Sequence, residues 1–201
     1  MLIATHARSG GTKFGLDLAD KHNLRFVGEV SGSHLKSIGT TSFKKEIHET
    51  NCQPVLSDID IYKAIYSHEK LVVLLNTAGY LHLDRADYVL LRENPTACCL
   101  SFIDLLLRPH SGAKIHWQAV LLYMRLMFND MFTLITCCVE HKEDLPILWF
   151  EDIYPAHTQN LKYFNQLPEE VSLGMIELVK YFVSNSDIET KISVLQERTS
   201  Y

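Results

Sequence analysis

The residues best equipped for chemistry stand near the start of the chain, in Arg8-Ser9-Gly10-Gly11-Thr12-Lys13. They lie between the apolar run Leu2-Ile3-Ala4 and a helix-like stretch from Thr12 to His22. A strand, a glycine turn and a helix start together make an anion site. Backbone N–H groups at a helix N-terminus point outward, and the helix dipole favours negative charge. Gly10 and Gly11 let the backbone approach a ligand closely, and Ser9 and Thr12 add hydroxyl donors. Arg8 supplies a planar cation that grips an oxyanion in two places. A nucleoside-triphosphate loop of the form GxxxxGK[ST] carries Lys directly before its Ser or Thr. Here Gly11 precedes Thr12, and Lys13 follows it. The plain alternative is a strand–turn–helix link with a capping hydroxyl.

A second constellation is VLLRENPTACCLSF, residues 89–102. An apolar run ends at Leu91, Arg92 follows at once, and Pro95 suits the first turn of a helix. An Arg at a strand's carboxyl end faces the crevice where ligands of open α/β sheets bind. Ser101, two turns into the helix, reaches the same ligand if the helix lies along that crevice. A third stretch, LPILWFEDIYP at 145–155, ends an apolar run in Glu151-Asp152. Such a pair fits the magnesium-binding strand of an NTPase, or a strand end with solvated acids.

The elements that must position these residues are legible as hydrophobic runs. Leu2–Ala4, Leu71–Leu75, Tyr88–Leu91 and Ile147–Phe150 are continuous apolar runs of strand length, and Leu24–Val27 is a further run interrupted only by Arg25. Continuous runs indicate strands covered on both faces. Helices are predicted over 12–22, 58–69, 95–107, 115–140, 169–184 and 187–197. Strands alternating with helices predict an α/β fold in three layers, a mainly parallel sheet of about five strands flanked by helices. Segment 31–57, rich in Ser, Gly, Thr and Lys, reads as a loop.

The bulk numbers narrow the field. With 201 residues, 47% of them apolar, the chain suits one α/β domain over 1–201, helical in its C-terminal part 156–201. Net charge is −5 with no basic stripe, which argues against nucleic acid as a partner. The five cysteines are Cys52 and the adjacent pairs Cys98-Cys99 and Cys137-Cys138, with no CxxC. They read as reduced packing residues of a cytoplasmic protein, and no metal site is expected. No signal peptide is visible at Met1–Thr5. Ala119–Val139 is long enough to cross a membrane, but Arg125, Asn129 and Asp130 would lie at its centre. A buried or homodimer-forming helix is the expectation.

Arg8-Ser9-Gly10-Gly11-Thr12 resembles the phosphosulfate-binding loop of sulfotransferases that use 3′-phosphoadenosine 5′-phosphosulfate (PAPS). The bacterial type, typified by trehalose 2-sulfotransferase, carries Arg-Ser-Gly-Ser-Thr there. Arg92-Glu93-Asn94 with Ser101 resembles that family's strand–Arg–helix–Ser unit, whose Arg and Ser bind the nucleotide's 3′-phosphate. The resemblance implies a P-loop-like fold. It implies PAPS held by Arg8, Ser9, Gly10, Gly11, Thr12, Lys13, Arg92 and Ser101. It implies sulfuryl transfer to a hydroxyl of a carbohydrate or other small acceptor. The trehalose-type enzymes carry a Glu after their second strand as the proposed base, which points to Glu29; His34 is the second candidate base. A later Arg-Lys-Gly stretch of many cytosolic members has no counterpart, and Arg108, Lys114 and His116 are the candidates to replace it. Two other functions stay open on the sequence: an ATP- and magnesium-dependent small-molecule or nucleotide kinase, and a sulfotransferase-like module that binds without turnover.

Overall fold

The computed structural model describes residues 1–30, 71–75, 80, 83–107, 117–141, 144–156 and 167–199. Strand β1 spans Leu2–Thr5 and leads through a five-residue turn into helix α1, Gly11–His22. Then follow β2 (Arg25–Val30), β3 (Leu71–Leu75), β4 (Tyr88–Leu91), α2 (Pro95–Leu107) and α3 (Trp117–Glu140). The remaining elements are β5 (Ile147–Trp149), α4 (Phe150–Ile153), α5 (Glu169–Asn185) and α6 (Ile188–Thr199). The expected helix at 58–69, the loop at 31–57, and His34, Cys52, Arg108, Lys114 and His116 lie outside the described residues.

The strands pair in parallel in the order β2-β3-β1-β4-β5. The continuous apolar sequences of β3 and β5 and the apolar runs of β1 and β4 are explained by two cores, one on each face. Ile3, Leu90, Val72, Leu74 and Phe26 pack with Phe14, Leu18 and Ala19 of α1. Their neighbours Ala4, Val89 and Leu91 point the other way, into a core built by α2, α3, α5 and α6. The result is an α/β arrangement with helices on both sides of the sheet.

Helix α1 ends at Asn23, held in the left-handed region at φ 50 with its N–H on the Ala19 and Asp20 carbonyls; Asn tolerates that conformation better than most residues. Its Gly15 sits where an added methyl carbon would lie 2.4 Å from the buried Phe26 ring, so glycine allows helix and sheet to close. One expectation needs revision. β2 runs on to Val30, with a register shift between Phe26 and Gly28. Glu29 therefore lies within the strand, paired with Leu74 and level with Ile3 of β1, rather than beyond the strand's end.

The connections set the site. From β1 the chain goes to β2 on one side, and from β4 it goes to β5 on the other. β1 and β4 are neighbours, so their carboxyl ends flank the point where the winding reverses. That is where open α/β sheets bind ligands.

Candidate functional site

The turn after β1 begins with buried polar residues. The Thr5 and Ser9 hydroxyls hydrogen-bond each other inside the protein, and Ser9 N–H reaches back to the His6 carbonyl at 3.2 Å. Ser9 is completely buried, so its hydroxyl closes the turn on itself. Arg8 takes a left-handed φ of 64 and Gly10 one of 90. A methyl carbon at Gly10 would lie 2.2 Å from the Phe150 ring, and one at Gly11 would lie 2.8 Å from the Thr5 side chain. Packing thus demands glycine at both positions, and at Gly10 the backbone shape demands it too. Gly10 is the N-cap of α1, and no side chain caps the helix. The capping hydroxyl of the plain strand–turn–helix alternative is absent from this terminus.

Parallel register then brings the second constellation alongside. Leu91 pairs with Trp149, so the residues that follow, Arg92 after β4 and Phe150-Glu151 after β5, stand next to one another. Arg92 is buried and held from four directions. Its Nη1 donates to the Arg8 carbonyl at 3.3 Å, and its Nε to Glu151 Oε1 at 3.3 Å. Its guanidinium lies 4.6 Å from the centre of the Phe150 ring, a cation–π distance. Its backbone N–H donates to His6 Nε2 at 3.2 Å. Arg8 in turn donates through Nη2 to the Ser101 hydroxyl at 2.8 Å and the Ser101 carbonyl at 3.0 Å. Arg8, Arg92 and Ser101 therefore form one cluster along the carboxyl rim of β1, β4 and β5, as their spacing predicts. Ser101 meets Arg8 directly.

Behind the cluster lies a polar network. Because Arg92 N–H donates to Nε2 of His6, that nitrogen carries no proton, and Nδ1–H donates to the Ala7 carbonyl at 3.1 Å. Burial lowers the His6 pKa to about 4, against the pull of Asp130, so the ring stays neutral near pH 7. Asp130, buried on the apolar helix α3, accepts the Ala7 N–H at 2.6 Å and the Tyr80 hydroxyl at 3.0 Å. That hydroxyl is also 3.1 Å from the Thr5 carbonyl. Burial and Asp130 together push Tyr80 well above the ordinary tyrosine range.

Other expected residues stand apart from this cluster. Lys13 is half exposed and binds Asp17 one helical turn on, at 3.0 Å, with its ammonium 4.5 Å from the Tyr154 ring centre. Thr12 is half-buried in the first turn of α1. Glu29 is two strands from β1 across β3, roughly 10 Å at the usual strand spacing. A groove of about 370 Å3 between α3 and α5, lined by Leu121, Arg125, Gly174 and Tyr181 among others, shares no residue with the rim cluster.

Sequence reasoning missed the partners: Glu151 on Arg92, Phe150 between Gly10 and Arg92, and Tyr80 with Asp130 beneath the turn. The signal for the first two was the equal placement of Arg92 and Phe150 one residue beyond adjacent strands. For Tyr80 and Asp130 the sequence carried no local signal. The rim can bind an anion through two guanidiniums and a helix N-terminus, with a neutral histidine fixing the backbone of both arginine segments. No protein-family model matches the chain, and no curated protein matches it in sequence.

Proposed function

We propose that the chain is a PAPS-dependent sulfotransferase with a P-loop-like fold, acting in the cytoplasm on a hydroxyl of a carbohydrate or other small acceptor. The observation that carries this reading is the joining of Arg8 and Arg92, 84 positions apart, by a direct hydrogen bond on one rim. A nucleotide with anionic groups at its 3′ and 5′ positions needs two cationic holds along one crevice. The donor set fits it: Arg8 and the N-terminus of α1 for the 5′-phosphosulfate, Arg92 for the 3′-phosphate, and Ser101 as the tie that sets the Arg8 guanidinium. When bound, PAPS supplies an activated sulfuryl group, whose sulfur bonds to the acceptor oxygen as its bond to the 5′-phosphate oxygen breaks. Arg8 and the uncapped backbone N–H groups stabilise the charge left on that phosphate. The acceptor's proton goes to a base, Glu29 or His34.

The test is calorimetric titration of the whole chain with adenosine 3′,5′-bisphosphate in a chelator. We expect binding that falls at least tenfold in Arg92→Ala, roughly the loss of one charged hydrogen-bonded contact. Transfer of labelled sulfate from PAPS to an acceptor in a metabolite extract, lost in Glu29→Ala, separates an active enzyme from a binding module. Binding only of ATP with magnesium would sink the sulfotransferase reading in favour of a kinase.

A further inference from the structure

Glu151 is the one acidic side chain that Arg92 meets on the rim among the contacts described above, and its placement has a sense beyond charge balance. Its carboxylate accepts two hydrogen bonds, from Arg92 Nε at 3.3 Å and from the backbone N–H of Glu93 at 3.3 Å. A guanidinium N–H beside a backbone N–H is the donor pair that a phosphate oxyanion takes. The carboxylate thus occupies an anion's place.

The two partners are unequally fixed. The Arg92 side chain is 5% exposed and that of Glu151 is 35% exposed. If the carboxylate leaves, Arg92 keeps its bond to the Arg8 carbonyl, its contact with the Phe150 ring and its backbone bond to His6. Glu151 has an open side toward water. Both of its hydrogen bonds are also longer than the 2.7–2.9 Å usual for charged pairs. The cation is built in, and the anion is exchangeable.

We propose that Glu151 is an intramolecular stand-in for the phosphate at Arg92, displaced when a phosphate group of the ligand arrives. This rests on the reading of the rim as a bisphosphate site. It deepens that reading by making Glu151 a competitor that weakens ligand binding and keeps the buried Arg92 charge compensated between turnovers. A merely structural ion pair, or one that orients Arg92 for its ligand, has the opposite sign.

The whole chain, wild type and Glu151→Gln, is titrated in a chelator at low salt with inorganic phosphate and with adenosine 3′,5′-bisphosphate. Calorimetry is read beside the Arg Nε–H resonances. Phosphate should bind Glu151→Gln about two- to fivefold more tightly than wild type, the scale of losing one partly exposed ion pair. In wild type, phosphate should shift the Arg92 Nε–H resonance, identified by its loss in Arg92→Lys. Equal, weaker or undetectable phosphate binding by the variant overturns the proposal, even where wild type binds the bisphosphate. Tighter phosphate binding with no bisphosphate binding upholds the exchange and removes the sulfotransferase reading instead. If Glu151→Gln does not fold, the wild-type resonance decides alone: an Arg92 Nε–H unmoved by saturating phosphate overturns the exchange.

Discussion

His6 shows how one residue can serve a charged site by staying uncharged. Its Nε2 must accept the Arg92 N–H and its Nδ1–H must reach the Ala7 carbonyl. Protonation would turn two N–H groups against each other and place a third positive charge beside Arg8 and Arg92. The sign of the resulting pH dependence follows. The folded pKa is about 4, below the ordinary histidine value of 6.5, so between those values the unfolded chain binds more protons. Stability from the neutral ring is whole above pH 6.5 and is lost as pH falls toward 4, by about 3 kcal/mol in all. Urea unfolding across pH 7.5 to 4.5 should show wild type losing stability more steeply than His6→Gln, with the difference approaching about 1.4 kcal/mol per pH unit. Parallel curves for the two proteins would mean that His6 takes up its proton in the fold as readily as in the unfolded chain.

Helix α3 joins an apolar composition to a buried carboxylate. Val120–Glu140 is apolar and long enough to cross a membrane, with a mean hydropathy of 1.3. In the fold its Met124, Phe128, Met131, Leu134, Ile135 and Cys138 are buried in the core on one side of the sheet. Its one buried charge, Asp130, is the anchor of the turn after β1. The network geometry predicts an unequal pair of variants. In Asp130→Asn the amide oxygen can keep the Ala7 N–H, and the amide NH2 can donate to Tyr80, whose hydroxyl then donates wholly to the Thr5 carbonyl. The Ala7, Tyr80 and Thr5 groups stay satisfied, and the cost is the loss of charge assistance, about 1 kcal/mol. Asp130→Ala strands the Ala7 N–H and removes a Tyr80 partner, costing about 3 kcal/mol. Thermal or urea melts compare the two, and equal losses would mean that the carboxylate's charge, rather than its hydrogen bonds, holds the turn.

At the scale of the whole molecule, what the sequence disclosed and what it withheld divide along a physical line. Strands β1, β3 and β4 and the helices at 95–107 and 169–184 were legible because both-face burial leaves continuous apolar runs, and because Pro95 and the glycine turn punctuate them. The pairing of Arg8 with Arg92 was legible because parallel strands deliver their ends to one rim. The inward turn of the Ser9 hydroxyl, the Glu151–Arg92 pair and the Tyr80–Asp130 support were not, since each depends on neighbours far along the chain. The end of β2 was not legible either, because the apolar run stops at Val27, whereas the strand continues through a register shift to Val30.

The C-terminal helices belong to the same structure as the sheet. Ile188, Ile192 and Leu195 of α6 share a buried cluster with Ala4, Val89 and Leu91 of the strands. Trp149 Nε1 donates to Thr199 at 3.3 Å, and Gln196 reaches Glu93 beside the rim at 2.7 Å. Two cysteines report on whether this core opens as a unit. Cys98 on α2 and Cys138 on α3 are buried, and burial pushes both thiols up to about 12 from 9.0. At pH 8 that alone cuts their thiolate fraction by roughly a thousandfold against an unfolded chain, so native labelling requires opening. Leu195 is fully buried, and Leu195→Ala should cost about 3 kcal/mol through lost burial and the cavity left behind. If the sheet and α6 open together, that loss speeds labelling of Cys98 and Cys138 alike, by about a hundredfold. Site-resolved mass spectrometry of a thiol-labelling time course reads both rates. A chain in which only Cys138 accelerates has a C-terminal layer that opens separately from the sheet, and the single-core account would then fail.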